Sequence, residues 1–389
     1  MCPPPAHLPG DAIAEWCDRR PQHYFPVQSA VCQKSTRNVF SHHQRRKLSP
    51  YPPTCVVIMT KDRLRQRARR VAFVGSKSLG FACLESMYEF DASIVSLVVT
   101  VDDRDDTRSN FEQIAGLCES HETPIVVANS RADSEDAICS VAPDLCVVSG
   151  WYWILGERAL KAISGPCIGT HHSLLPQYRG GAPLVWAVIN GETQVGTSLF
   201  ELSAGMDEGP IYSALSIPIE PDEYIEKIRA KVDNASIEMF RDAYPGIAEG
   251  RLHPEPQILE SVTYCPMRRP EDGLIDWSLP ADRLHNFIRA QSHPYPGAFT
   301  YFDDKKLTIW RAKSVDTKIE GTTGQVGAIQ SDGVVICSTG RGSILVQEVQ
   351  LAGGHSRPAT EVLNSITIRL NNTLTTATEI VPQPLGPST

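Results

Sequence analysis

The sequence predicts an α/β domain built on a parallel sheet, followed by a small β-barrel domain. Two observations predict this order. Between residues 70 and 150, short apolar runs alternate with helical stretches, which is the pattern of βαβ units packed into a Rossmann-like sheet with helices on both faces. After residue 298, short β-rich segments follow one another with polar or glycine-rich turns between them, as in a small OB-like barrel.

The elements of the first domain can be read in order from this alternation. Residues 94–101 (IVSLVVTV) are continuously apolar, which indicates a strand buried on both faces. The other predicted strands of this part are 71–74, 124–128 and 144–149, and the predicted helices are 81–88, 110–121 and 134–141.

The second half of the first domain is punctuated by polar loops. A strand is predicted to end at Cys167-Ile168, Pro183 opens a helix over 184–189, and 196–202 is another β-like segment. Residues 252–266 are proline-rich and are predicted to be a connector.

In the second domain, Ser278 is predicted to cap a helix over 282–290, with Pro280 just inside it. The predicted barrel strands are 298–302, 307–312, 323–329, 334–338 and 343–349.

These patterns divide the chain into five parts: a basic leader (1–69), a catalytic domain (70–250), a linker (251–272), a β-barrel-like domain (273–355) and a tail (356–389). The leader has proline clusters and no periodic apolar pattern, so it is predicted to be disordered. Its arginines would suit a mitochondrial transit peptide, but Asp11, Glu15 and Asp18 argue against one. A cytoplasmic location is therefore expected, with a mitochondrial one as the alternative.

Composition excludes several classes of protein. No apolar run approaches the roughly 20 residues that span a bilayer, so no membrane partner is expected. The 11 cysteines form no C-x-x-C pair, which favours reduced thiols and predicts neither a disulfide framework nor a metal site.

Charge is distributed unevenly along the chain. Residues 1–70 hold 13 Lys and Arg against 4 Asp and Glu, whereas residues 71–389 hold 24 against 41. Affinity for nucleic acids depends strongly on neutralising phosphates with basic side chains. The acidic folded part therefore predicts a small-molecule partner and disfavours tRNA.

The residues that suggest chemistry lie between 167 and 212. His171 and His172 occur in a polar turn after the strand end at Cys167-Ile168, and Asp207 lies in a glycine-bounded loop after the segment 196–202. Polar side chains at the carboxyl ends of parallel strands face the crevice where ligands bind. A carboxylate favours the protonated form of a neighbouring imidazole. Such an imidazolium can donate a hydrogen bond to a developing oxyanion and can help to move a proton between two nitrogens.

Three segments of this region resemble the formyltransferase family: HHSLLPQYRGGAP at 171–183, NGET at 190–193 and GMDEGPI at 205–211. IDW at 275–277 and HPYPGAFTY at 293–301 resemble the family's C-terminal domain. The family includes methionyl-tRNA formyltransferase, glycinamide ribonucleotide formyltransferase and the sugar-nucleotide N-formyltransferases. The resemblance covers roughly residues 70–352. It implies that an amine attacks the formyl carbon of 10-formyltetrahydrofolate, the formyl donor.

The resemblance also implies roles for single residues. His171 matches the family histidine that stabilises the tetrahedral oxyanion. Asp207 matches the family aspartate that orients this histidine and favours its charged form. One position departs from the pattern, because Gly169 stands where the family has a catalytic asparagine. Losing one oxyanion donor typically costs about 10²–10³ in rate. His172 is the expected substitute donor, with Thr170 or a bound water as alternatives; His172 could equally fill a position where relatives have glycine or proline.

Further binding residues follow from the same match. Arg179, in the loop that follows Leu174 and Leu175, is expected to contact an anionic group of either substrate, with a solvated surface arginine as the alternative. Ser198 matches a position where relatives have serine or threonine close to the site. The segment expected to hold the pterin, with aromatic walls for a flat ring, comprises Gly150, Trp151, Tyr152, Trp153 and Ile154, together with Ser173.

The function expected from the sequence is formyl transfer from 10-formyltetrahydrofolate to a primary amine of a small acceptor, such as an amino sugar nucleotide. Methionyl-tRNA formylation is one alternative. A formyltetrahydrofolate hydrolase and a non-catalytic folate-binding relative are the others, the last supported by Gly169.

Overall fold

A computed structural model describes residues 66–316, 319, 321–337, 342–365 and 368–370. The predicted leader lies outside the described residues except for 66–69, and so does the end of the predicted tail, 371–389. Among the helices of the described part, none has the length and apolarity that crossing a bilayer requires.

The first domain is built on a seven-stranded sheet. Strands β1 to β5 pair in parallel in the order β3-β2-β1-β4-β5, and β7 and β8 add antiparallel pairs to the β5 edge. The predicted α/β class is therefore confirmed, with a parallel-dominated rather than an all-parallel sheet. The strands of this sheet are β1 (Val71–Gly75), β2 (Val95–Thr100), β3 (Ile125–Val127), β4 (Leu145–Ser149), β5 (Cys167–His171), β7 (Gln194–Glu201) and β8 (Ile211–Pro218). The short strand β6 (Arg179–Gly180) lies outside it.

Alternate residues of a strand point to opposite sides of a sheet, and here both sides carry apolar residues that helices cover. On one face, Phe73 and Val147 pack with Leu84 of the first helix and Phe240 of the sixth. On the other face, Val74 belongs to a separate cluster with residues of the third and fourth helices. The helices are α1 (Lys77–Asp91), α2 (Phe111–Ser120), α3 (Arg131–Val141), α4 (Glu157–Ala162), α5 (Pro183–Asn190) and α6 (Ile225–Ala248).

Helix α6 was not predicted from the sequence, although it is 24 residues long. It buries Ile228, Val232 and Phe240 against the sheet. Its Ser236 hydroxyl lies 2.7 Å from that of Thr197 on β7, and both residues are fully buried. This face of β7 is therefore the one that α6 covers.

The second domain is an antiparallel sheet in the order β10-β11-β14-β13-β12, with β15 paired to β14. All five predicted strands of this domain are present. Trp277 is buried at its base and donates from Nε1 to the Thr300 hydroxyl at 3.0 Å. The elements after the first domain are β9 (Tyr264–Cys265), α7 (Ala281–Gln291), β10 (Ala298–Phe302), β11 (Lys305–Val315), β12 (Val326–Gln330), β13 (Gly333–Cys337), β14 (Ser343–Leu351), β15 (Arg357–Pro358) and α8 (Ala359–Val362).

Two predictions for this domain were wrong. Ser278 does not cap α7, because its hydroxyl donates to Asp276 and the helix begins after Pro280. The predicted tail also starts too early, since β15 pairs with β14 and α8 packs Ala359 into the core of the domain.

Candidate functional site

His171 is the last residue of β5, so the strand extends through a stretch that the sequence predicted to be a turn. In the pairing of β5 with β7, His171 lies opposite Ser198, and Gly169 lies opposite Phe200. The imidazole and Phe200 rings meet edge-on, with centroids 6.3 Å apart. His171 is only 9% exposed. The strand thus holds the imidazole on one face of the sheet, at its carboxyl edge.

Asp207 was predicted to follow a strand that ends at the same edge of the sheet as β5, but the structure places it beside His171 in another way. Because β7 runs antiparallel to β5, its carboxyl end lies beside Cys167, whose carbonyl accepts a hydrogen bond from the Leu202 N–H at 2.7 Å. The loop that follows must fold back along the sheet. It brings the Asp207 Oδ2 atom to 3.7 Å from the His171 Nδ1 atom.

Polar contacts hold this pair in place. The Gly180 N–H donates to the Asp207 Oδ2 atom at 2.7 Å, and the His171 Nε2 atom lies 2.8 Å from the Tyr178 carbonyl oxygen. Both ring nitrogens therefore face oxygen atoms, although only the Nε2 atom is within hydrogen-bond distance of its partner. A histidine beside a partly buried carboxylate can donate a hydrogen bond to an oxyanion and can transfer a proton, once a ring N–H is turned from its present oxygen neighbour to the substrate.

The space beside Gly169 is taken by an apolar side chain. A Cβ atom at this position would lie 2.7 Å from Leu202 Cδ1 and 3.1 Å from the Val148 carbonyl oxygen. Gly169 and His171 share one face of the sheet, since they are two residues apart on β5. The family's missing asparagine side chain is therefore matched here by Leu202 rather than by a polar group.

We expect Gly169→Asn to destabilise the protein by about 1–3 kcal/mol, because the new side chain overpacks against Leu202. Urea unfolding of Gly169→Asn, Leu202→Ala and the double variant would measure the coupling between the two positions. Gly116→Asn is the matched control, since nothing lies within 4 Å of a Cβ atom there. A double variant whose loss equals the sum of the single losses would refute the overpacking.

His172 does not take part in the His171–Asp207 pair. Its Nε2 atom lies 3.5 Å from Asp233 Oδ1 on α6, and the second Asp233 oxygen is 3.4 Å from the Arg229 guanidinium. Helix α6 covers the opposite face of β7 from the one that carries Ser198. The expectation that His172 replaces the missing asparagine is therefore not supported, because consecutive residues of an extended chain point to opposite faces.

Burial, together with the nearby His171 and Arg229, lowers the pKa of His172 to about 4. Between the ordinary value of 6.5 and about 4, the unfolded chain binds a proton at this residue that the folded protein does not. We therefore expect stability to fall as the pH decreases through this window, and His172→Gln to reduce that fall. Burial raises the pKa of Asp233, which opposes the trend but is common to both proteins.

Urea unfolding between pH 7 and 4 would test this pH dependence. His253→Gln, at an exposed histidine, is the control and should leave the curve unchanged. Parallel curves for the wild type and His172→Gln would contradict the expectation.

Three other predicted binding residues are engaged inside the protein. The Ser173 hydroxyl donates to the Gln177 carbonyl at 2.6 Å, and the Ser198 hydroxyl donates to the Ser173 carbonyl at 2.8 Å. Arg179 is 2% exposed and donates to the side chains of Gln257 and Tyr264. These contacts shape the turn after β5, and they assign all three residues to support of the site rather than to direct binding.

The segment predicted to hold the pterin follows β4, at the carboxyl edge of the sheet. Gly150 has φ +64°, and a Cβ atom there would lie 2.4 Å from the Ser76 carbonyl oxygen. The rings of Trp151 and Trp153 pack edge-on at 5.3 Å, whereas Tyr152 and Ile154 are exposed. The backbone at Gly150 packs closely on Ser76, and the exposed side chains of Tyr152 and Ile154 lie next to it in the chain. Such a surface fits a flat ring such as a pteridine.

A cluster that was not predicted from the sequence anchors this segment. The Tyr152 hydroxyl donates to Asp103 at 2.9 Å, and the Lys77 Nζ atom lies 2.7 Å from both Asp103 and Asp106. Burial works against the charge of Asp103, but hydrogen bonds from Lys77, Ser109 and Ser76 outweigh it and lower its pKa to about 2. The acidic residues directly after β2 were the signal that could have revealed this cluster.

The α/β fold and the His171–Asp207 pair at the carboxyl edge of its sheet are those of an enzyme that can stabilise an oxyanion and transfer a proton, as acyl transfer requires. The sequence matches the family Formyl transferase at residues 69–243 and Formyl transferase, C-terminal domain, at 268–367. The chain belongs to the formyltransferase family, whose formyl donor is formyltetrahydrofolate.

Relatives and solved structures agree with this family. The methionyl-tRNA formyltransferase of Geobacter sulfurreducens is 33% identical over 76% of this chain and 93% of its own length. WlaRD, a sugar 3N-formyltransferase crystallised with dTDP and 5-N-formyl-THF, shares the fold with a TM-score of 0.56 at 15% identity, covering 74% of this chain and 98% of that one. HypX from Aquifex aeolicus has a TM-score of 0.54 at 19% identity; 76% of this chain is covered, and it spans 47% of that protein.

These relatives correct the prediction about partners. The acidic folded part was taken to disfavour tRNA and to favour a small-molecule acceptor, yet methionyl-tRNA formyltransferases of several bacteria are 32–33% identical to this chain. The inference failed because a charge summed over residues 71–389 does not describe how charge is distributed over the surface. Cationic side chains such as Arg268, stacked 4.8 Å from the Trp186 ring, are averaged away in such a sum.

Proposed function

We propose that this enzyme formylates the α-amino group of methionyl-tRNA, with formyltetrahydrofolate as donor. The observation that supports this most is the 33% identity to a methionyl-tRNA formyltransferase over 93% of that relative's length, which includes both domains. Similarity confined to the catalytic domain would be weaker support for a shared acceptor than similarity that includes both domains.

In the proposed reaction, the amine nitrogen bonds to the formyl carbon and the bond from that carbon to the donor nitrogen breaks. The amine loses a proton and the departing nitrogen gains one. The α-amino group has an ordinary pKa of about 8, so much of it is neutral and nucleophilic near that pH. His171 stabilises the tetrahedral oxyanion and helps to transfer the proton, while the Asp207 carboxylate, 3.7 Å away, stabilises the imidazolium charge.

The test combines a transfer assay with a binding assay. Incubation with formyltetrahydrofolate and methionyl-tRNA should give N-formylmethionyl-tRNA, detected as one formyl group by mass spectrometry of the released amino acid. Uncharged tRNA and the His171→Ala variant are the controls. Binding of tRNA should weaken steeply as salt rises, because phosphate contacts release counterions.

Other products would reject the proposal. Formylation of small amines without formylation of methionyl-tRNA would show that the acceptor is wrong. Release of formate at the same rate with and without methionyl-tRNA would indicate a hydrolase.

A further inference from the structure

Gln257 lies in the linker after α6, yet its amide is bonded to the loop that carries Asp207. The Nε2 atom donates to the Asp207 carbonyl oxygen at 2.8 Å and to the Gly209 carbonyl oxygen at 2.7 Å. One side-chain amide thus holds two backbone positions of this loop, from 50 residues further along the chain.

The other end of the amide is fixed by Arg179. The Gln257 Oε1 atom accepts hydrogen bonds from the Arg179 Nε atom at 3.1 Å and from Nη2 at 2.6 Å. Arg179 is itself immobilised, because β6 pairs with β9 and its side chain is 2% exposed. Both donors and the acceptor of Gln257 are therefore used, and the amide can adopt one orientation only.

The Asp207 loop needs such an anchor. Asp207 has φ +48°, a left-handed conformation that costs energy for a residue other than glycine. Its carboxylate lies 3.7 Å from His171 Nδ1, and its Oδ2 atom also accepts the Gly180 N–H at 2.7 Å. A loop released from Gln257 could relax its backbone, and the carboxylate would then leave the imidazole.

We propose that Gln257 is a positioning residue for formyl transfer, which holds the Asp207 carboxylate beside His171. The proposal rests on the roles proposed above for His171 and Asp207. It places a determinant of the reaction rate in the linker, outside both the strand that carries His171 and the loop that carries Asp207.

The test is Gln257→Glu. An ionised carboxylate still accepts from the Arg179 guanidinium, but it has no N–H to donate to the two loop carbonyls. We expect kcat for formyl transfer to fall about 10²-fold, as small misplacements in active sites do. The unfolding midpoint should stay close to that of the wild type. Amide hydrogen exchange should accelerate across the loop of residues 203–210 and remain unchanged in the strands of the sheet.

Gln350→Glu is the matched control. In the second domain, Gln350 also bridges a side chain, Trp310, and a backbone carbonyl, that of Gly354. This variant should retain wild-type kcat and wild-type exchange across 203–210. Gln257→Met, of similar volume, loses the bonds to both partners and should be impaired at least as much as Gln257→Glu.

Three results would overturn the proposal: unchanged exchange across 203–210, faster exchange with wild-type kcat, or a general loss of protection and stability throughout the protein. The exchange measurement requires no acceptor. A wild-type enzyme that fails to formylate methionyl-tRNA would therefore refute the proposed acceptor, while the effect of Gln257 on the loop could still be decided.

Discussion

Replacing His171 by alanine is expected to lower kcat for formyl transfer by about 10³-fold or more. The imidazole is the group that lies against the Asp207 carboxylate, and its loss removes both a donor to the oxyanion and a carrier for the proton. General acid–base catalysis alone contributes typically about 10²–10⁴-fold. Single-turnover formation of N-formylmethionyl-tRNA would measure the loss free of product release.

The control for this variant is His253→Ala, at an exposed histidine. It should behave as wild type. Binding of formyltetrahydrofolate to His171→Ala, followed by fluorescence, should be retained if the ring serves the transition state rather than the donor. A residual rate within tenfold of wild type would remove His171 from the chemistry.

Asp207→Asn should lower kcat by about 10²–10³-fold, the range seen when one electrostatic contact to a transition state is lost. The amide keeps an oxygen that can accept the Gly180 N–H, so the loop should stay folded. What disappears is the negative charge 3.7 Å from the imidazole. Rates measured over a range of pH, together with unfolding curves, would separate the loss of charge from a loss of structure.

Glu208→Gln provides the comparison for Asp207→Asn, because it removes a charge from the next residue, which is exposed in the same loop. This variant should change kcat by less than about threefold, since screening by water weakens such charges. Similar rate losses in both variants would mean that the loop's total charge matters, and not the contact between Asp207 and His171.

Most of the regular structure could be predicted from local patterns. Strand β2 is largely apolar because both its faces are covered, and the antiparallel strands of the second domain are separated by strong turn residues. Helix α6 was not predicted, although its buried residues Ile225, Ile228 and Val232 recur at helical spacing. Pro245 inside the segment argues against a helix in the sequence alone. The contacts of Phe240 and Ser236 with the sheet show which face of the segment is buried.

The sequence brought His171 and Asp207 into one predicted site, but it did not give the arrangement of the residues around them. The resemblance placed His171 and Asp207 together, whereas the antiparallel direction of β7 depends on pairing with β5 and could not be read from either segment alone. His172 was expected to replace the missing asparagine, but it faces Asp233 on α6, because consecutive residues of an extended chain point to opposite faces. Gln257 gave no local signal, since its partners are backbone carbonyls distant in sequence.

The short parallel pairing of β6 with β9 extends the catalytic unit beyond the residues that form the sheet. A fragment ending at Gly250 would include the whole sheet with both His171 and Asp207. It would nevertheless leave the Arg179 and Gly181 N–H groups without the acceptors that Thr263 and Cys265 supply. Any shortened enzyme made for assays or crystallisation must therefore extend at least through Cys265, well past the last strand of the sheet.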